Sequence, residues 1–258
     1  MSMGLLDMPA WLLDPLDRVL AVAHLPALVR VLLWGALAGY AGMWLYRHFS
    51  PQQRIAAVRS DLAIAQRRLA NHDGEFGELL PLIRAQFALT LRQLRLTTGA
   101  ALLAAVPVLF VLPWLSNRHD VQFPAPASAV RVCFTPADTV ADLHADPAWQ
   151  DAGEAGCRVV AWPAGDENVT IREHDRLVLT LPMTAPATIV HRRTWGNALV
   201  GNPAGYLADD LRTTAVHIDL PSMDLQPLGP AWLRGWMPAF FLSALLVSLF
   251  LRWRWKLH

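Results

Sequence analysis

The sequence predicts an α-helical integral membrane protein with three spans, a cytoplasmic coiled-coil hairpin and a small extracytoplasmic β-rich domain. The first observation is the composition, since 54% of the 258 residues are hydrophobic and only 17% are charged, as is typical of membrane proteins. The second is a set of three apolar stretches near the ~20 residues that a helix needs to cross a bilayer. The third is the eleven tryptophans, several of which end those stretches, where rings can sit at the membrane surface.

The chain begins with an amphipathic segment, residues 1–25. It includes the stretch "PAWLLDPLDRVLAVAHL", in which apolar and acidic residues share helical spacing. Three aspartates and no early basic cluster argue against a secretory signal peptide. We expect an interfacial helix that lies on the membrane surface.

Three spanning helices are predicted from the apolar stretches. The first is residues 26–46, the second is 98–116, and the third lies in 230–258, which ends in a basic tail. Arg30 and Arg234 lie near span ends, from which their long side chains can reach the headgroups, so we predict both as membrane-interface residues. No acidic or basic residue lies at a span centre, which argues against a proton pump, an ion-coupled transporter or an intramembrane protease.

The distribution of charge predicts the orientation. Residues 47–97 contain eight arginines against four acidic residues, and the C-terminal tail adds Arg252, Arg254 and Lys256. Residues 117–229 contain fourteen acidic residues against eight arginines. Because positive loops stay in the cytoplasm, we expect the N-terminus outside and the C-terminus inside, in the inner (cytoplasmic) membrane of a bacterium.

Residues 47–97 are predicted to form a cytoplasmic helical hairpin. Residues 71–80 contain two glycines and indicate the turn, and Ser50 before Pro51 predicts the N-cap of the first arm. Each arm carries an apolar stripe with the spacing of a coiled-coil seam. The stripes are Ile55, Val58, Leu62, Ala65 and Leu69 on the first arm, and Leu80, Ile83, Phe87, Leu91 and Leu94 on the second. The candidate cytoplasmic interaction residues are Arg54, Arg59, Arg67 and Arg68.

Residues 117–229 are predicted to form a small β domain. Short β-branched segments separated by Pro, Gly and Asp are typical of a sandwich or barrel, while 135–143 and 205–212 favour short helices. The two cysteines of the chain, Cys133 and Cys157, both fall here. In an oxidising compartment we expect a disulfide, and a free or buried pair is the alternative.

Catalytic motifs are missing from the sequence. No nucleophile elbow, P-loop, dinucleotide fingerprint or zinc-protease motif occurs. Five histidines lie between residues 117 and 229, but none has the spacing of a ligand pair. We therefore predict no catalytic residue, no cofactor and no metal site, in a protein that is not an enzyme.

Several stretches resemble the YidC/Oxa-type membrane insertase superfamily, in particular its three-span members. The stretch "LLDPLDRVLAVAHLP" (12–26) resembles the interfacial helix of that family. "MWLYRHFSPQQRIAAVRSDLAIAQRRL" (43–69) resembles its entry into the coiled coil, and "AALLAAVPVLFVLPWL" (100–115) its proline-bearing span. The resemblance implies insertion or assembly of membrane proteins through a polar groove. The bacterial insertase has an arginine in that groove, where this chain has the uncharged "GYAGM" (39–43), and the domain at 117–229 is an addition.

Three functions are considered. The first is an insertase-like or assembly factor for membrane proteins that uses the three-span core and the coiled coil. The second is a non-catalytic accessory or structural subunit of a larger membrane complex, with an outer domain that docks a periplasmic partner through 117–229. The third, a membrane-anchored enzyme or binding module, requires clustered His, Asp or Arg side chains in the outer domain. The expected partners are the lipid bilayer and a membrane-protein substrate or partner subunits, and no DNA.

Overall fold

The computed structural model describes residues 2–71 and 76–256. These residues form two compact units. Unit 1 comprises Met1–Val31 and Phe110–Ala239, and unit 2 comprises Leu32–Leu109 and Phe240–His258. The N-terminal segment therefore belongs to the same unit as the predicted outer domain.

Within the described ranges there are seven α-helices. They are α1 (Ala10–Val22), α2 (Ala27–Phe49), α3 (Gln52–Ala70), α4 (Phe76–His119), α5 (Asn197–Val200), α6 (Ala231–Arg234) and α7 (Trp236–Trp255). Helices α2, α4 and α7 are long and apolar enough to cross a membrane, as the sequence predicts. The 44 residues of α4 correspond to about 66 Å. This single helix contains both the predicted second arm and the second apolar stretch.

Small residues let α2 approach its neighbours in unit 2. A Cβ added at Gly35 would lie 2.1 Å from Ser243 Oγ on α7, and one at Gly39 would lie 2.6 Å from a backbone oxygen of α7. A Cβ at Gly42 would lie 2.6 Å from a backbone oxygen of α4. Close backbone approach through glycine is a common way for apolar helices to associate in lipid, where dispersion contacts replace the hydrophobic effect.

The start of α3 differs from the sequence prediction. Pro51, not Ser50, is the N-cap, and no side chain caps the helix. The Ser50 amide donates to Tyr46 O at 2.9 Å, so Ser50 continues the last turn of α2. Its hydroxyl is buried without a hydrogen-bond partner. The prediction was wrong because the preceding helix extends three residues beyond its predicted end at Tyr46 and includes the Ser50 amide in its hydrogen bonding.

The β domain of unit 1 is formed by short antiparallel strands. They are β1 (Ser2–Met3), β2 (Ala129–Thr135), β3 (Leu143–Asp146), β4 (Gln150–Asp151), β5 (Cys157–Ala161), β6 (Val169–Glu173), β7 (Arg176–Leu181), β8 (Ile189–His191), β9 (Gly201–Asn202) and β10 (Ala215–Ile218). One sheet has the order β4-β5-β2-β10-β8, a second has the order β3-β6-β7, and β1 pairs with β9.

The two larger sheets share one hydrophobic core. Alternate residues of β2 face inward, as the buried Val130, Val132 and Phe134 show. Ile171 of β6 and Leu181 of β7 are fully buried in the same cluster. Inward and outward alternation is what a strand with one buried face requires. The predicted β-rich domain is therefore present, with its core between two sheets.

Of the two short helices predicted in this domain, one is present and one is not. Residues 135–143 contain a short 3-10 helix, Ala137–Asp142, after which the chain enters β3. Residues 205–212 form turns and one β-bridge, with no helix. The amide of Arg212 donates to Glu173 at 2.8 Å, so a tertiary contact, not a helix, satisfies this backbone. Residues 196–206 contain α5 and β9.

Candidate functional site

The two-helix arm is defined as α3 together with the α4 residues that precede the second apolar stretch. Only the α3 half of the predicted coiled-coil seam is found between the two helices. On α3, Ile55 and Val58 are buried, as predicted. On α4, the residues that line the cleft facing α3 are Leu82, Ala85 and Leu89.

The predicted second stripe lies on a different face of α4. Its members, Leu80, Ile83, Phe87, Leu91 and Leu94, are between 40% and 64% exposed. The prediction was wrong in phase because α4 has a second row with heptad spacing. That row is only partly exposed, and it consists of Leu79, Leu82, Gln86, Leu89, Gln93 and Leu96. The five exposed side chains are called the arm stripe from here on.

The arm is strongly basic. All four predicted interaction residues lie on α3, where Arg54, Arg67 and Arg68 are exposed and Arg59 is partly buried. The α4 side of the arm adds exposed Arg84, Arg92 and Arg95. No ion pair joins any of these arginines to another described residue. The arm therefore presents apolar and cationic groups together.

Unit 1 contains a polar cluster that the sequence reasoning missed. Asp14 of α1 accepts hydrogen bonds from Trp114 Nε1 at 2.8 Å and Arg118 Nη2 at 2.7 Å, both near the end of α4. Asp17 of α1 pairs with Arg30 at the start of α2. These charged side chains retain only 14–23% exposure. The acidic face of α1 is thus held by two arginines.

The same cluster continues beyond α4. Ser116 Oγ donates to Asp120 at 2.6 Å, and the indole of Trp236 donates to the same carboxylate. Burial raises the pKa of Asp7; Arg118, whose Nη1 lies 3.7 Å from Asp7, opposes that shift, and Asp14 adds to it. The cluster therefore connects the N-terminal segment, the end of α4 and the start of α7.

The predicted membrane-interface arginines both have partners within the chain. The side chain of Arg30 is 16% exposed and is bound to Asp17. Arg234 donates to Gly229 O at 2.9 Å and lies 3.9 Å from Asp224. Their contact with headgroups stays a prediction. The observed ion pair explains how an arginine is accommodated at the start of an apolar helix, since a paired charge costs less to bury.

The two cysteines form a disulfide. Cys133 on β2 and Cys157 on β5 lie directly opposite each other in the antiparallel register and are bonded, at a sequence separation of 24. The predicted disulfide is therefore present in the β domain, and it links two neighbouring strands of the larger sheet.

One buried carboxylate of the β domain is structural. Glu173 is 6% exposed and accepts from the amides of Arg212 and Thr213 and from the Thr213 hydroxyl, at 2.8 to 3.2 Å. Burial alone would raise the pKa of Glu173, but these hydrogen bonds outweigh it and the pKa is lowered.

Metal-site geometry is missing from the described part of the chain. Within residues 2–71 and 76–256, no three His, Cys, Asp or Glu side chains lie close enough together to hold a metal ion. The two ring nitrogens of the buried His119 have no hydrogen-bond partner. His191 instead contacts Asn197 at 2.7 Å. These histidines do not form a group that suggests metal chemistry.

Comparison of the chain with protein-family models, with curated proteins and with solved structures finds no match. The resemblance of residues 12–26, 43–69 and 100–115 to the YidC/Oxa-type superfamily consequently rests on the sequence patterns alone.

Proposed function

We propose that this protein is a membrane-protein assembly factor, anchored by three spanning helices, that receives a partner segment on its two-helix arm. The observation that carries the proposal is the arm stripe, a row of five exposed apolar side chains beside exposed arginines. Such a row is unfavourable in water and is typical of a binding face. Its helical spacing suits an apolar helix laid along it.

The arginines define the chemistry of that partner. Arg84, Arg92 and Arg95 are exposed on the same helix as the arm stripe. A second copy of the arm would bring like charges together, which is unfavourable. An amphipathic segment with an apolar face and acidic flanks satisfies both features. The partner we propose is therefore such a segment of a membrane-protein substrate or subunit.

The bilayer itself is a poor occupant for the whole arm stripe. Leu80 lies 18 residues before residue 98, where the second predicted span begins. In the continuous helix α4 this corresponds to about 27 Å along the axis. Only the end of the stripe near Leu94 would then reach the headgroups, so the remainder is available to a protein.

One requirement of the proposed topology, that the N-terminus and the β domain lie on the same side of the membrane, is supported by a contact within unit 1. Residues Ser2–Met3 of β1 pair with β9 of the β domain, so the N-terminus lies beside that domain. An even number of crossings therefore separates the two in the proposed topology. This agrees with α2 and α4 leading from the N-terminus to the arm and back.

One observation favours the alternative, an accessory subunit without an insertase groove. Gly35 and Gly39 bring α2 and α7 into close contact. The hydroxyls of Thr97, Thr98 and Ser243 bond to carbonyls of their own helices. These described contacts do not supply the polar lining that an insertase groove needs. In an accessory subunit, the arm would bind a permanent partner subunit instead of a transient substrate.

Depletion tests the proposal. Cells that lack the protein should accumulate at least one membrane protein in an unassembled, protease-sensitive form, and the wild-type chain should restore it. The double variant Phe87→Asp with Leu91→Asp should not restore it, because two carboxylates interrupt the arm stripe. The matched control Ser60→Asp, on an exposed polar position of α3, should restore assembly fully. Equal rescue by both variants would contradict the proposal.

Purification in mild detergent distinguishes an assembly factor from an accessory subunit. A permanent complex predicts partners at fixed stoichiometry, which the Phe87→Asp and Leu91→Asp pair removes. A transient assembly factor predicts substoichiometric partners that increase when assembly of the substrate is blocked.

A further inference from the structure

An exposed tryptophan marks one edge of the β domain. Trp195 is 85% exposed, the largest fraction among the described large apolar residues, and Leu199 and Val200 on α5 are 37% and 42% exposed. These three side chains are called the Trp195 tip. The exposed Arg193 lies two residues before Trp195 in sequence.

The backbone that carries the Trp195 tip is firmly held. The side chain of Asn197 accepts from Thr194 N at 2.8 Å and donates to Arg192 O at 2.7 Å. The Tyr206 hydroxyl donates to Asn197 O at 3.3 Å. Because these hydrogen bonds hold the loop in place, the fold itself positions the Trp195 indole on the surface.

The Trp195 tip lies beside the N-terminal segment. Leu5 N donates to Ala198 O at 3.1 Å, and Leu6 N donates to Leu199 O at 2.8 Å. Leu5 is itself 58% exposed. The segment enters α1 four residues after Leu6, and α1 is ion-paired to the ends of α2 and α4. The tip is thus connected by direct contacts to the ends of the apolar helices.

Helix α1 has its polarity reversed relative to that of a soluble surface helix. Its aspartates Asp14 and Asp17 point into the ion-pair cluster. Its outward face is apolar, with Trp11, Val19 and Val22 between 66% and 77% exposed. A helix with apolar side chains outward is suited to lipid, because exposing apolar surface to water is unfavourable.

We propose that the Trp195 tip inserts at the headgroup level of the outer leaflet, with the exposed Arg193 against anionic headgroups, and thereby holds the β domain on the membrane surface. The proposal rests on the three-span placement given above. Tryptophan prefers this depth because its ring is amphipathic, and an arginine is attracted to anionic headgroups by its charge. The hydrogen bonds from Leu5 and Leu6 to the tip lie only a few residues before α1, whose outward face is apolar, and this proximity favours lipid over a separate protein as the occupant.

Tryptophan quenching in lipid nanodiscs tests the tip. The full chain is reconstituted in phosphatidylcholine and phosphatidylglycerol, and the emission of Trp195→Phe is subtracted from that of the wild type. Phosphatidylcholine brominated near the headgroup should reduce this difference signal by roughly twofold, since the ring sits at that level. Aqueous iodide should leave it almost unchanged. The control difference signal, from Trp162→Phe, should respond to neither quencher, since Trp162 is 5% exposed in the β core.

The other outcomes would overturn the proposal. Strong quenching of the Trp195 signal by iodide without quenching by brominated lipid would place the tip in water, ready for a protein partner. No response to either quencher would place it in a protein contact. Extraction of the wild-type chain from membranes by alkaline carbonate would refute the three-span placement separately, because it does not depend on Trp195.

Discussion

Removing the Asp14 carboxylate should release α1 from the end of α4, while Asp17 stays paired with Arg30 at the start of α2. In Asp14→Ala, Trp114 Nε1 and Arg118 Nη2 lose an acceptor at 2.8 and 2.7 Å. Hydrogen bonds to charged groups contribute about 1.5–3 kcal/mol each. The side chains of Asp14 and Arg118 retain 23% and 22% exposure, and Asp7 remains 3.7 Å from Arg118. We therefore expect a combined loss of about 3 kcal/mol.

Hydrogen exchange in nanodiscs measures this change directly. A loss of about 3 kcal/mol in local opening free energy corresponds to roughly 100-fold faster exchange of the α1 amides. The higher helix propensity of alanine works in the opposite direction by less than about 0.7 kcal/mol. Exchange in the β-domain core should be unchanged, because the cluster is separate from it.

The matched control for this experiment is Arg18→Ala. Arg18 lies on the same helix and is exposed, so its removal should change exchange by less than about twofold. Unchanged α1 protection in Asp14→Ala would refute the reasoning, as would an equal effect of the two variants. Either result would mean that the ion-pair cluster does not hold α1 in place.

Three further predictions concern packing and stability. Glu173→Gln should lower the free energy of unfolding at pH 7 by about 2 kcal/mol. Because the pKa of Glu173 is lowered in the folded protein, the stability that its carboxylate contributes is lost as the pH falls below the ordinary value of 4.5. The difference between variant and wild type in urea unfolding should therefore be smaller at about pH 3.5. Replacing Cys133 and Cys157 by alanine should cost about 3 kcal/mol for a loop of this length, seen as a lower Tm that reductant no longer changes. Gly39→Val should lower the Tm of the protein in detergent, because a Cβ at residue 39 would lie 2.6 Å from the α7 backbone. The control Gly99→Val should have little effect on Tm, because a Cβ at residue 99 would point into open space.

The large elements could be predicted because each has a strong local signal. The three long apolar helices follow from the length of the apolar stretches, and the β domain follows from short β-branched segments between turn residues. The disulfide follows because Cys133 and Cys157 are the two cysteines of the chain. None of these inferences requires knowledge of distant contacts.

The phase of the arm could not be predicted from spacing. Leu80 and Phe87 belong to one row with helical spacing, while Leu82 and Leu89 belong to another, and both rows are apolar enough to pack. The structure places the second row towards α3, which leaves the first row exposed. The choice depends on how α4 is rotated along its whole length, which no single window of sequence contains.

The polar cluster was missed because its members are far apart in sequence. Asp14 and Trp114 are separated by 100 positions. Two signals could have indicated it: aspartates three residues apart on α1, and Arg30 within an apolar helix. An arginine near the start of an apolar helix is compatible both with contact to the headgroups and with an acidic partner on a neighbouring helix, and here Asp17 is that partner.

Site-specific photocrosslinking at Phe87 tests the central claim most directly. A photoreactive amino acid is placed at Phe87 in the arm stripe and, as the control, at Ser60 on the exposed face of α3. The account predicts that irradiation of intact cells gives a discrete membrane-protein adduct from position 87 and none from position 60, and that Leu91→Asp reduces the adduct. Adducts of equal yield from both positions, or lipid adducts alone from position 87, would contradict the account.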